Sequence, residues 1–278
     1  MIAAHAVVAA TSALELGPQG IWFAHSSVPV SYPEDANALF REIEDRSFWF
    51  LHRNRCLAHL ARRFRPDGPF LDIGGGNGFV AKALVAEGVD CALLEPGVEG
   101  ALAAHARGIS PVICARIEDA ALPSQAFSGV GMFDVLEHIE DEAGALAEVQ
   151  RLLRPGGRLF LTVPAYQALF SREDQDAGHF RRYNLPGLER VLEAAGFRSQ
   201  FATYLFAPLP LPVFLLRTLP SRLGLLGPSS AARTDGEHTP GGAFGWTMEK
   251  LLKFEARRIE AGGTIPFGTS CLVVADRP

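Results

Sequence analysis

The sequence predicts a doubly wound α/β fold, with about seven strands in a mostly parallel sheet and an apolar insertion before the last strand. Three observations predict it. Short apolar runs of strand length alternate with stretches of helical period. The runs are apolar at successive positions, as in a sheet covered on both faces. Helices of this length between strands require parallel pairing through crossovers. The runs are 69–73 (PFLDI), 89–95 (VDCALLE), 111–115 (PVICA), 129–134 (GVGMFD), 158–163, 199–206 and 269–276.

In chain order, residues 1–35 read as irregular, with turn formers at Gly17, Pro18, Pro29 and Pro33. A helical region is predicted from about Asn37 to Phe64, holding the cluster Phe48-Trp49-Phe50. After the first strand, Val80, Leu84 and Glu87 keep a helical period until Gly88, a stop signal. Leu146, Val149 and Leu153 repeat the pattern before the glycine turn 154–157, and Pro186, Leu188, Val191, Leu192 and Ala195 before Gly196. Residues 246–260 read as a final helix and 266–278 as the closing strand. The chain thus divides into an N-terminal region with a cap helix (1–64), an α/β core (65–206), an apolar insertion or lid (207–245), and the final helix and strand (246–278).

Composition bounds the partners. The 278 residues are 48% hydrophobic and 21% charged, with a net charge of −5. That is a globular balance, and with no basic run a nucleic-acid partner is not expected. Cys56, Cys91, Cys114 and Cys271 are far apart and mostly in apolar runs, so buried thiols in a reducing, cytoplasmic setting are expected. Met1 to Leu16 lacks the cationic start of a secretory signal. Ser199 to Leu216 is uncharged over eighteen residues, near the length of a membrane span, but Pro208, Pro210 and Pro212 argue against a spanning helix. The stretch 201–226 is instead a lid or core helix, a dimer contact, or a surface for transient contact with a membrane or lipid acceptor. Ser229 to Gly245, rich in Gly, Pro and Thr, is expected to be mobile.

In doubly wound sheets, ligands bind beyond the carboxyl ends of the strands. There, FLDIGGGNGF (70–79) ends a strand and opens a helix, and Gly74, Gly75, Gly76 and Gly78 allow a tight turn close to a ligand. Gly76, Gly78 and Ala81 fit the dinucleotide pattern G-x-G-x-x-A. Asp72, at the strand's end, would repel a pyrophosphate and attract a cationic ligand. S-adenosylmethionine, with an ammonium, a sulfonium and no phosphate, suits it.

The motif D-I-G-G-G-N-G (72–78) resembles the first motif of the class I S-adenosylmethionine-dependent methyltransferases, small-molecule type, and the likeness extends over roughly residues 45–200. The resemblance implies a Rossmann-like methyltransferase fold with S-adenosylmethionine as cofactor. It implies that Glu95, followed by Pro96, accepts both ribose hydroxyls; that Ile117 covers the adenine; and that Glu118 or Asp119 takes its amine. The segment 151–164 resembles the family's helix, turn and fifth strand. Many members carry Phe-Asp before the fourth strand, where this chain has Phe127-Ser128.

Past the fourth strand come Asp134, Glu137 and His138, on one side if a helical turn starts at Asp134. The resemblance places Asp134 at the methionyl end of the cofactor. His138 is the natural general base, with an unperturbed pKa near neutrality; the alternative is that Glu137 and His138 brace the next helix. GHFRRY (178–183) brings His179, Arg181, Arg182 and Tyr183 to the same crevice. His179 and Tyr183 are candidate helpers in catalysis. The arginines either recognise an anionic or hydroxylated acceptor or pair with the acidic run 172–176. Some related methyltransferases bind a divalent metal through Glu-x-x-Glu-His and a later His, so Asp134, Glu137, His138 and His179 are a candidate metal set. The Glu-His pair is widespread in members not known to need metal, and S-adenosylmethionine alone is the expected cofactor. Before the sheet, Trp49 and Phe50 either close the cofactor pocket, with Arg53 meeting a carboxylate, or simply pack on the sheet. The function expected is methyl transfer to a partly apolar small molecule, with oxygen the favoured accepting atom. A non-catalytic binding module and a nicotinamide-dependent oxidoreductase are the alternatives on this fold.

Overall fold

The computed structural model describes residues 2–25, 43–225 and 242–278. Its strands are β1 (Leu14–Leu16), β2 (Trp22–Ala24), β3 (Phe70–Ile73), β4 (Cys91–Leu94), β5 (Val112–Cys114), β6 (Phe127–Phe133), β7 (Leu153–Pro164), β8 (Arg198–Leu205) and β9 (Ser270–Asp276). They form one sheet in the order β1-β2-β5-β4-β3-β6-β7-β9-β8. From β2 to β7 neighbours run parallel; β1 is antiparallel to β2, and β9 is antiparallel to both β7 and β8. The α-helices of five residues or more among the described residues are α1 (Ile2–Ala9), α2 (Phe48–Arg63), α3 (Phe79–Ala86), α4 (Val98–Ala106), α5 (Glu142–Leu152), α6 (Arg172–Asp176), α7 (Leu185–Ala194) and α8 (Gly242–Glu260).

All seven predicted strands are present, and the sheet has two more. These lie in the N-terminal stretch read as irregular. There β1 and β2 form a hairpin on the edge of β5, and the Ala3 and Ala4 amides at the start of α1 donate to Asp90 Oδ2 at 3.0 and 3.2 Å. Three-residue strands fall below the length at which apolar alternation is legible. The N-terminal region therefore shares the sheet of the core. The 154–157 turn also differs from expectation: α5 ends at Leu152, and Leu153 already pairs with Phe127 as β7 begins. The helix start expected near Asn37 and most of 229–245 lie outside the described residues; α2 begins at Phe48, where the Ser47 side chain accepts from the Trp49 and Phe50 amides.

Every residue of β3, β4, β5 and β6 is buried, and successive residues point to opposite faces, so both faces of the central sheet are covered. The strand order reverses between β3 and β6, which opens the crevice at their carboxyl ends. No described helix is long and apolar enough to cross a membrane.

Candidate active site

The glycine turn after β3 is fixed by its own packing. Gly74, Gly76 and Gly78 have φ of 65°, 52° and 76°, which side-chain-bearing residues rarely adopt. A Cβ on Gly74 would lie 2.7 Å from Val135, and one on Gly75 would lie 2.6 Å from Leu93. The demand for glycine at these positions thus comes from the protein's interior.

Beneath the turn, Asp72 is 1% exposed, and its carboxylate oxygens have no hydrogen-bond partner besides the nearby Ala81 amide. Burial pushes its carboxyl up to about 7; the Arg53 charge works against the shift and Glu95 adds to it. At the end of β4, Glu95 Oε2 accepts from the Gly76 amide at 2.9 Å and Oε1 from the Gly97 amide at 2.8 Å. The two amides fix the plane of the carboxylate at the mouth of the crevice. Pro96 stands between Glu95 and Gly97. In the loop after β5, Ile117 is buried and Glu118 exposed, while Asp119 is held by Arg116, Nε to Oδ2 2.8 Å. Asp119 is thus engaged within the loop, and Glu118 is left facing outward.

Asp134 follows β6 with φ of 60°, and its side chain pairs with Arg53 Nη1. Arg53 lies over the Trp49 ring at 4.7 Å, and its Nε is buried without a partner. Trp49 in turn stacks on Phe206 at 5.4 Å. The helix carrying Arg53 is held by Glu255 of α8, which accepts from His52 at 2.7 Å and from the Phe206 and Ala207 amides at 2.7 and 2.9 Å. Asn54 donates to the Phe79 carbonyl, and Glu44 receives both Asn77 of the glycine turn and Arg107.

The expectation that Asp134, Glu137 and His138 share one side fails. The left-handed backbone at Asp134 precedes a short 3-10 turn, Leu136–His138, so Asp134 faces Arg53 while Glu137 and His138 meet His179. The ligating atoms of Glu137, His138 and His179 lie within 4.8 Å of one another, and the candidate metal set thus loses its fourth member to the arginine. Glu137 is 1% exposed, and burial with the nearby Asp134 charge pushes its carboxyl well above the usual range. His138 departs from the near-neutral pKa expected of it. Burial, then the proximity of His179, pushes it down to about 4, so it is a neutral imidazole at physiological pH.

His179 stands edge-to-face with His138, ring centroids 4.6 Å apart, and its Nδ1 lies 2.9 Å from Asp174 Oδ1. Asp174 is 2% exposed and also accepts from Arg182, from the Ser171 amide and from the Ser171 hydroxyl. Its carboxyl opposes the penalty of burial through His179 and Arg182 and is held down at about 2. An ionised carboxylate only accepts, so His179 Nδ1 is the donor and Nε2 its basic nitrogen.

The remaining GHFRRY side chains turn elsewhere. Arg181 donates to the Ile139 and Glu140 carbonyls and to Glu142, and the Tyr183 hydroxyl donates to Glu142 at 2.6 Å. Both arginines are used internally, and Tyr183 is committed to α5. Asp174, His52 and Glu255 were not singled out from the sequence. Ser171 followed three residues later by Asp174 is a capping box, the signal that marks this acid. Glu255 is the one acid on the buried stripe Met248, Leu252, Ala256 and Ile259 of α8.

A family model described as a methyltransferase domain matches residues 44–200, more than half of the chain. A protein of Mycolicibacterium smegmatis named a probable S-adenosylmethionine-dependent methyltransferase is 27% identical over 180 residues, covering 63% of this chain and 69% of that one. A ubiquinone biosynthesis O-methyltransferase of Xylella fastidiosa is 31% identical over 113 residues, covering 38% of this chain and 46% of its own. The chain thus spans less than half the length of that relative. Among solved structures, a SAM-dependent methyltransferase from Thermotoga maritima aligns with TM-score 0.51 and 20% identity over 87% of this chain and 99% of its own. Phosphoethanolamine N-methyltransferase 2 of Haemonchus contortus, with S-adenosylhomocysteine bound, aligns with TM-score 0.56 and 18% identity over 90% of this chain and 58% of its own. At these identities the structures show the fold alone. With the family model spanning the glycine turn, Glu95 and the crevice beside β6, the chain belongs to the methyltransferase-domain family of class I S-adenosylmethionine-dependent enzymes.

Proposed function

We propose that this enzyme methylates an oxygen of a small, partly apolar acceptor, with the histidine pair serving as base. The observation that carries the cofactor site is the buried Asp72 carboxylate beneath the glycine turn, with no side-chain partner of its own, beside a Glu95 held by the Gly76 and Gly97 amides. The residues fit S-adenosylmethionine. Asp72 offers negative charge where a phosphate would be repelled. Glu95 takes the ribose hydroxyls, Ile117 covers the adenine and Glu118 takes its amine. Asp134 holds the ammonium, and the spare Arg53 Nε donor holds the carboxylate against Trp49. When bound, the cofactor supplies a methyl group on a sulfonium, a leaving group that needs no further activation.

The enzyme's part is then alignment and, for a hydroxyl, removal of one proton. His138 is neutral; one ring nitrogen is engaged with the Ala177 backbone and the other accepts the proton. The proton is passed on to Nε2 of His179, whose ring stands edge-to-face beside His138 with its Nδ1 anchored on Asp174. The name of the ubiquinone relatives supports oxygen as the accepting atom. The cysteines are buried thiols, in keeping with the cytoplasmic setting proposed here.

Calorimetry on the purified chain tests the reading. S-adenosylhomocysteine is expected to bind the wild type, and D72N and E95A to bind it at least roughly a hundredfold more weakly. Uptake of a nicotinamide dinucleotide, with none of S-adenosylmethionine or S-adenosylhomocysteine, overturns it.

A further inference from the structure

The crevice is lined with acids. Asp72, Glu95, Asp134 and Glu137 stand at or just past the carboxyl ends of β3, β4 and β6. Such a lining attracts any small cation by charge alone, so selection among cations needs a further device. One cationic side chain comes in from α2. Arg53 keeps only 8% of its side chain exposed and pairs through Nη1 with Asp134 Oδ2. Its charge also reaches other acids. Burial raises the carboxyls of Asp72, Glu137 and Glu44, and Arg53 opposes that rise at each of them.

Both members of the pair are held in place. The backbone at Asp134 is left-handed, and its amide donates to the Thr162 carbonyl of β7 at 2.9 Å. Arg53 lies over the Trp49 and Phe50 rings at 4.7 and 5.3 Å. Its helix is tied on either side of it, His52 to Glu255 and Asn54 to the Phe79 carbonyl. The guanidinium still has a buried Nε with no acceptor. A planar fork of five N–H donors can change anions without leaving the rings it rests on.

We propose that Arg53 selects a cofactor with an intact amino-acid end, through an exchange of partners with Asp134. This rests on the cofactor reading given above. The incoming ammonium takes over Asp134, and the carboxylate beside it takes over Arg53. One ion pair becomes two, and no charge is left buried alone. A ligand with the ammonium but without the carboxylate takes Asp134 from Arg53 and returns nothing. The guanidinium is then desolvated with no anion, the costly outcome for a buried pair that loses one member. The same side chain thus binds the whole cofactor and excludes its decarboxylated form, together with other amines that the acids would attract.

Calorimetry on the full chain with three ligands tests the exchange: S-adenosylhomocysteine, its decarboxylated form, and methylthioadenosine, which lacks both charged groups. The wild type is expected to bind S-adenosylhomocysteine at least roughly a hundredfold more tightly than the decarboxylated form, and that form no more tightly than methylthioadenosine. R53M is expected to lose at least roughly tenfold for S-adenosylhomocysteine and to gain at least roughly tenfold for the decarboxylated form, with methylthioadenosine unchanged. A merely structural arginine would weaken all three together. Should R53M fold poorly, the neutral pair R53M/D134N is expected to bring S-adenosylhomocysteine and its decarboxylated form within roughly tenfold of each other. The proposal is overturned if the wild type binds those two within roughly tenfold, if R53M weakens both in step, or if the folded double variant keeps the wild-type ratio. Uptake of none of the three overturns the cofactor reading and the exchange with it. Uptake of S-adenosylhomocysteine and methylthioadenosine without the expected ratio overturns the exchange alone.

Discussion

Asp174 holds His179 by its Nδ1 at 2.9 Å, and His179 in turn meets the His138 ring at 4.6 Å between centroids. A capping acid in a five-residue helix thereby sets the tautomer of a candidate catalytic base. The same carboxylate receives Arg182 and Ser171, so the loop 171–182 is organised around one buried charge.

Acid should therefore weaken the fold in two stages. His138 is pushed down to about 4 from 6.5, so the unfolded chain takes up a proton that the folded one refuses, and roughly 3 kcal/mol is lost as pH falls from 6.5 toward 4. Asp174 is held at about 2 against 3.8, so its contribution, roughly 2 kcal/mol, is present above 3.8 and lost as pH falls toward 2. Chemical denaturation across pH 3–8 checks this. D174N should remove the lower stage and destabilise the protein by roughly 3 kcal/mol at neutral pH, since Arg182 is left without its carboxylate.

Asp72 predicts a trade between stability and binding. Its carboxyl is pushed up to about 7, so the folded state favours the protonated form and loses stability as pH rises from 3.8 toward 7, by roughly 4 kcal/mol at full ionisation. D72N should raise the melting temperature of the free protein at pH 8 while weakening binding of the cationic cofactor. In the wild type, affinity for S-adenosylmethionine should climb with pH up to about 7 and then level off. Scanning calorimetry and titration at several pH values measure both.

Glu95 predicts a smaller structural and a larger binding effect. E95A leaves the Gly76 and Gly97 amides without their acceptor and should cost about 1–3 kcal/mol of stability. Loss of cofactor affinity should exceed this, because on the proposed function the same oxygens take the ribose hydroxyls. E95Q, keeping one acceptor oxygen, should fall between the two. Thermal melts with and without S-adenosylhomocysteine separate the effects.

Glu255 predicts a loss of stability with a long reach. Its oxygens join α8 to His52 of α2 and to the Phe206 and Ala207 amides after β8. E255A should destabilise the fold by about 3–5 kcal/mol, and cofactor affinity should fall with it, since Phe206 supports Trp49 and Arg53. Circular dichroism melts and titration of the variant at low temperature check the two parts.

Most of the sheet was legible because its strands are apolar on both faces and are separated by stretches of helical period that end in glycine. Glu95 and Asp72 stand at strand ends, where the fold class alone directs attention. The N-terminal hairpin was not legible, since three residues carry too little pattern and the pairing with β5 lies some ninety residues away. The GHFRRY block was legible in part: the alternative that its arginines pair with the acidic run 172–176 holds for Arg182, which reaches Asp174, and not for Arg181, which reaches Glu142. His179, Arg182 and Tyr183 are neighbours in sequence, yet Arg182 and His179 reach Asp174 while Tyr183 reaches Glu142.

By itself the sequence determined the strand order's building blocks, the turn that admits a cationic cofactor and the set of side chains near the crevice. Only the tertiary structure decided which of those side chains meet. The left-handed backbone at Asp134 sends that acid to Arg53 and leaves Glu137 and His138 to His179. Spacing along a chain fixes which residues can share a face only while the backbone keeps its period, and at strand ends, where function sits, it does not.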